Sequence, residues 1–98
     1  MAIYRVLTWK GIPAQIKVRD DEGRRPLSVP LSERWVREID RVAMAEGLVG
    51  TDEYLAEWTW GPEERRPGSA QEVADALVAE LEAQWETIRR RPGRGAGA

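Results

Sequence analysis

Apolar residues along the first twenty positions follow strand patterns, and the period then lengthens. In IYRVLTW, residues 3–9, β-branched and aromatic side chains fall on both parities, as in a strand covered on two sides. In IPAQIKVRD, residues 12–20, Ile12, Ala14, Ile16 and Val18 share one parity, and Pro13, Gln15, Lys17 and Arg19 the other. That is the pattern of a half-buried strand. Lys10-Gly11 stands between the two runs, and a hairpin is predicted. Pro13 has no N–H to give to a ladder and is expected on an edge strand.

Residues 20–32 read as turn and loop, broken by Gly23, Pro26 and Pro30. Ser32 is placed to cap a helix, with Leu31 and Val36 as its hydrophobic staple. Trp35, Val36, Ile39, Val42, Ala43 and Met44 form the stripe expected to be buried. Glu33–Arg37 and Arg34–Glu38 are spaced as outer-face ion pairs, and Gly47 is placed to end the helix. YLAEWTW, residues 54–60, alternates again: Tyr54, Ala56, Trp58 and Trp60 against Leu55, Glu57 and Thr59. A third strand is expected there, although Thr51-Asp52 could also cap a short helical turn.

GPEERRPG, residues 61–68, reads as loop. Ser69 and Glu72 form a capping box, and Val73, Leu77, Leu81, Trp85 and Ile88 recur at helical spacing. Arg89, Arg90 and Arg91 suit the C-terminal end of that helix. Pro92 stops it, and residues 92–98 are expected to be a disordered tail. The predicted fold is a single α+β domain over residues 1–91, with order ββαβα. It is a two-layer sandwich, with a three-stranded antiparallel sheet in order 2-1-3 and two helices on one face.

The hairpin turn decides which side chains face out. A two-residue Lys10-Gly11 turn pairs Trp9 with Ile12, asks Lys10 for positive φ and carries Arg5 inward. A three-residue Trp9-Lys10-Gly11 loop needs positive φ only at Gly11. It pairs Thr8 with Ile12 and Val6 with Ala14, turns Arg5 outward and leaves Trp9 at the tip. The second register is the expected one. The outer face then carries Ile3, Leu7, Pro13 and Leu55, ringed by Arg5, Gln15, Lys17, Glu57 and Thr59, with Trp9 and Lys10 at its end. An apolar patch with a polar rim is the pattern of a protein-partner or self-association surface.

Chemistry is constrained by two absences: the chain has no Cys, and it has no His. Thiol nucleophiles, imidazole bases and ordinary zinc sites are excluded. No catalytic residue or metal ligand is assigned, no cofactor is expected, and the chain is expected not to be an enzyme. Asp20-Asp21-Glu22 lacks the alternating ligands of a calcium loop and reads as a solvated turn. Net charge is −2, with basic and acidic residues interleaved, which argues against nucleic acid as partner. No apolar run approaches the roughly 20 residues of a membrane span, and MAIYRVLTWK lacks the order of a signal peptide. A cytoplasmic location is expected. There are five Trp and no Phe. Trp35 and Trp85 fall on helix stripes, and Trp58 and Trp60 on the inward parity of the third strand. The alternative is that Trp58 and Trp60, with Arg5 and Lys17, hold a small flat or nucleotide-like ligand.

Trp9 to Gln15 (W-K-x-I-P-A-Q) and Tyr54 to Gly61 (Y-L-x-x-W-x-W-G) carry a resemblance. With RPLSVPLSERWVREIDRVAMAEGL between them and the S-x-x-E helix after, residues 3–90 resemble the small bacterial virulence factor domain family. Neither motif is catalytic. In larger proteins of that family the domain is joined to an Nfu-type segment and HEAT-like repeats, which implies an accessory, protein-interaction role. Free-standing members imply a link to corrinoid- and folate-dependent methyl transfer.

Overall fold

The computed structural model describes residues 1–22 and 25–89; the tail expected at 92–98 lies outside them, as do Arg90 and Arg91. The hairpin forms as the alternation requires. β1 (Ala2–Trp9) pairs antiparallel with β2 (Ile12–Asp20). The chain then adds β3 (Leu27–Pro30), α1 (Glu33–Ala45), α2 (Asp52–Ala56), β4 (Trp58–Trp60), β5 (Glu64–Arg66), α3 (Ala70–Ala83) and α4 (Trp85–Arg89). Among the described residues the sheet therefore has five strands rather than three, and there are four helices rather than two. Its order is β3-β2-β1-β4, with β5 also on β1, and every pairing is antiparallel.

The extra strands come from segments read as loops. Leu27–Pro30 pairs with Gln15–Val18, so β2 is interior and Pro13 is not on an edge strand. Glu64–Arg66 pairs with Ala2–Tyr4, in line with β4 on the same side of β1. Proline beside each segment masks a strand only three or four residues long. The third strand shrinks for a local reason. Thr51 Oγ1 accepts from Tyr54 N at 3.2 Å and caps α2, leaving only Trp58–Trp60 to pair.

The hairpin follows neither register in full. The turn has two residues, with Lys10 at φ 49° and Gly11 at φ 82°, and Trp9 lies opposite Ile12. A bulge then intervenes: Thr8 pairs with Pro13 but Leu7 with Gln15, so Ala14 is the extra residue. The bulge accommodates Pro13, which has no N–H to pair, and the Ala14 carbonyl accepts from Leu31 N at 3.0 Å. Beyond it, Arg5 faces Lys17, Val6 faces Ile16 and Tyr4 faces Val18. The one-residue slip flips the faces. Trp9 and Ile12 share the face of Leu7 and Gln15, while Val6, Tyr4, Ile16 and Val18 occupy the other. Gly11→Ala should destabilise the fold by about 1 kcal/mol, since its left-handed φ is strained for any residue with a Cβ. Gly11→Asn should lose less, and urea midpoints of the two would show the order.

Two buried clusters follow from the flip. Ala2, Ile16 and Val18 pack with Ala70, Val73, Ala74 and Leu77 of α3. Trp9, Ile12 and Ala14 pack with Trp35, Ile39, Val42 and Ala43 of α1, and with Leu48 and Ile88. Val78 and Leu81 touch both clusters. Thus α1 closes the hairpin end of the sheet, where β3 has already stopped. Val36 and Met44, placed on the buried stripe by spacing, are exposed at 43% and 70%. Glu38 is buried instead, in a two-pronged pair with Arg41 at 2.9 and 2.7 Å. The expected Glu33–Arg37 pair forms at 3.1 Å.

The last helix begins as expected and ends in two pieces. Ser69 Oγ accepts from Glu72 N at 3.1 Å, and Glu72 Oε1 accepts from Ser69 N at 3.0 Å. These bonds hold the Glu72 carboxyl below its ordinary value. Asp20, read as a solvated turn residue, accepts from Ala70 N at 2.9 Å and ties the end of β2 to the same terminus. At Gln84 the chain breaks step between α3 and α4. There Trp85 meets Trp35 edge-on, with ring centroids 5.1 Å apart.

Ser32 does not cap α1 with its side chain. Its backbone N and its Oγ both donate to Glu82, each at 2.8 Å, and Trp35 Nε1 donates to the same carboxylate at 2.8 Å. Arg34 also goes to Glu82 rather than to Glu38. One carboxylate on α3 thereby holds the first turn of α1.

Candidate functional site

On the face away from α3, period-two alternation along β1 sets Ile3, Arg5 and Leu7 in a row. Their partners on β2 are Arg19, Lys17 and Gln15 in that order. On the other side Leu7 pairs with Trp60, and Ile3 with Arg65. Ile3, expected on the contact surface, is buried at 6% exposure; Arg5, Leu7, Gln15 and Trp60 are half-buried and Lys17 is exposed. The surface therefore has an apolar-aromatic end near the hairpin turn and a cationic end beyond it.

Electrostatics single out the middle of this face. Arg5 and Lys17 are directly opposite each other, an arrangement that destabilises a sheet when the charges are alike. Neither has a carboxylate within salt-bridge distance among the described residues. Arg5 Nε donates to the Gly61 carbonyl at 2.8 Å, which anchors the guanidinium in the gap between β4 and β5. Gly61 N in turn donates to Val6 O at 2.9 Å. The Lys17 ammonium sits 5.0 Å from the centroid of the Trp60 ring, a cation–π contact. Arg19 meets Glu63 at 3.5 Å, an exposed and weak pair. Arg5, Lys17, Arg19 and Glu63 line one cavity of 170 Å³ together with Ile3 and Pro26.

Several expected contact residues lie elsewhere. Trp9 is fully buried rather than at an exposed tip; its Nε1 donates to the Tyr54 carbonyl at 2.9 Å, and its ring lies 5.6 Å from that of Tyr54. Lys10 is tied to Glu46 at 2.7 Å, and that hydrogen bond holds its ammonium above the ordinary lysine value. Pro13 is buried, beside a groove of 390 Å³ that includes Val6, Thr8, Leu81 and Ile88. Leu55 is 67% exposed but stands on α2, and Glu57 follows it as that helix's C-cap; neither is on the sheet.

Trp58 and Trp60 also separate. Trp58 packs edge-on to Tyr54, 6.2 Å between centroids, against the α1 cluster. Trp60, assigned inward by parity, belongs to the Leu7 face. Arg19 shares the parity of Lys17, and that signal could have found it. Arg65 had no such signal, because its strand is flanked by prolines. A hollow of 520 Å³ lies between Asp40, Met44, Gly47 and Val49 at the end of α1. It has one carboxylate and no cation among those residues, and it carries no evident chemistry.

A protein-family comparison places residues 7–90 on the model described as virulence factor. The chain belongs to that family. The match takes in Leu7, Gln15, Lys17, Arg19 and Trp60 of the open face and begins beyond Ile3 and Arg5. Among curated proteins and among solved structures, nothing matches this virulence factor domain. Among its described residues, no helix is long and apolar enough to cross a membrane.

Proposed function

We propose that this virulence factor domain is a non-catalytic accessory module that binds a protein partner through the sheet face of Arg5, Leu7, Gln15, Lys17 and Trp60. The observation that carries the proposal is the central strand. β1 is apolar on both parities, yet α3 covers only one of its faces, so Leu7 and Trp60 lie side by side at the surface with charged residues around them. A mixed patch of this kind is typical of a protein contact. The hairpin tip has no part in it, because Trp9 and Lys10 are engaged within the domain.

The resemblance to larger proteins of the family, in which the domain is joined to repeat segments, implies an accessory role. A service to methyl-transfer enzymes rests on the same resemblance. A flat cofactor held between Trp58 and Trp60 has less support, since Trp58 is committed to the core and Lys17 already stands over Trp60.

The test is Leu7→Asp, with Leu7→Thr as a variant that keeps strand propensity. Both should reduce capture of the native partner, or self-association seen by sedimentation, by at least about tenfold, as expected for a central contact residue. Circular dichroism should show the fold retained for Leu7→Thr. A wild-type domain that neither captures a partner nor self-associates, or a Leu7→Thr domain that does so unchanged, would refute the proposal.

A further inference from the structure

The open face is bipartite, and its cationic half limits what can dock there. Arg5, Lys17 and Arg19 converge on the 170 Å³ cavity, and Glu63 is the carboxylate facing them. Among the described residues lining the cavity, the formal balance is three positive charges against one negative. The fold as a whole is acidic, with net charge −2, so this cluster runs against the charge of the molecule. Arg5 opposite Lys17 is a like-charge pair across the ladder; the Gly61 carbonyl and the Trp60 ring hold the two side chains, but neither contact brings a negative charge. The Gly61 carbonyl fixes Arg5 through Nε alone, which leaves its two terminal nitrogens, the fork suited to a carboxylate. The cavity has room for one or two head groups and is too small for a nucleotide or a flat cofactor, which need roughly 300 Å³ or more. Immediately along β1, Leu7 and Trp60 provide the apolar half.

We infer that the occupant of this face is an acidic protein segment, whose carboxylates enter the Arg5–Lys17–Arg19 cavity while a neighbouring apolar side chain rests on Leu7 and Trp60. This inference rests on the interaction reading above and adds the chemistry of the partner. Carboxylates fit because they neutralise the opposed cations without needing a volume that the cavity lacks. Attraction of this kind is strong at low salt and is screened over about 10 Å at 0.1 M.

The experiment is titration of the intact domain with hexaglutamate, followed by calorimetry and by the indole N–H signal of Trp60, which Trp60→Phe identifies. Saturable binding that shifts this signal is expected. It should weaken about tenfold between about 20 mM and about 300 mM salt. Arg5→Gln and Lys17→Gln should each weaken it about fivefold, the effect of one charged hydrogen-bonding group. Arg37→Gln, which removes an equal charge from the exposed side of α1, should leave it unchanged. No saturable binding, or equal weakening by Arg37→Gln, overturns the inference. Tighter binding of inorganic phosphate or of oligodeoxythymidylate than of hexaglutamate, with the same sensitivity to Lys17→Gln, also overturns it, in favour of a phosphate-bearing ligand. The two readings fail separately. If Leu7→Thr abolishes partner capture while Arg5→Gln and Lys17→Gln do not, the interaction surface stands and the acidic partner is refuted.

Discussion

Trp9→Ala should lower stability by about 3–5 kcal/mol, the range for truncating a fully buried aromatic. A domain of this size has roughly 5–15 kcal/mol in total, so the change removes a substantial share of it. Trp9 joins the hairpin end of the sheet to α1 and α2. Its ring packs with Ile12, Trp35 and Tyr54, and its Nε1 holds the Tyr54 carbonyl at 2.9 Å. Trp9→Phe separates the two contributions. It keeps most of the apolar contact and leaves the carbonyl without its donor, a loss of about 1–2 kcal/mol. Urea denaturation should rank wild type above Trp9→Phe and Trp9→Phe well above Trp9→Ala. A Trp9→Ala variant as stable as wild type would place Trp9 at the surface and undo the two-residue turn.

Glu82→Ala should be the second most damaging change, at about 2–3 kcal/mol, because several donors lose one acceptor together. Ser32 N, Ser32 Oγ and Trp35 Nε1 each lie 2.8 Å from this carboxylate, and Arg34 Nη2 lies at 3.0 Å. Trp35 is fully buried, so its indole N–H has no ready substitute. Partial burial pushes the Glu82 carboxyl up. The bonds from Ser32, Trp35 and Arg34 outweigh it and hold the group below its ordinary value of 4.5. A lowered folded pKa means that the folded state binds its proton less readily than the unfolded state. The stabilisation is therefore complete above pH 4.5 and is lost as pH falls through the lowered value. Wild type should lose stability over that acid range more steeply than Glu82→Gln, which cannot titrate there. Parallel pH–stability curves for the two proteins would show that Glu82 does not strap α1 to α3.

Local chemistry made much of the fold legible. β-branched and aromatic residues along 3–9 and period two along 12–20 located the hairpin, and period 3.6 located α1 and α3. The S-x-x-E box at Ser69 and Glu72 formed atom for atom. β3 and β5 were hidden because prolines flank short segments whose strand character depends on a neighbour to pair with. Ser32 misled for a related reason. Its local partner would be a backbone N–H one turn ahead, but Glu82, fifty residues away, offers a charged acceptor. The candidate site was half legible. Arg5, Leu7, Gln15 and Lys17 share one sheet face, as the expected register also had them, although that register is itself wrong, because the bulge at Ala14 restores the parity that the two-residue turn reverses.

The amino-acid sequence by itself determined the element types wherever hydrophobic spacing runs for a full strand or helix, the chemistry that is missing, and the opposed parities of β1. Spacing and composition are local properties, and they can be read without knowing what lies across the chain. Only the tertiary structure decided the direction of Trp9, the company of Trp60 and the pairing of Arg5 with Lys17. Lys10 accepts a left-handed φ because Trp9 finds a buried seat on Tyr54 and α1, and Glu46 takes the lysine's charge. Those contacts span 45 and 36 residues, and contacts over such separations outweigh the turn preference that favours a three-residue Trp9-Lys10-Gly11 loop.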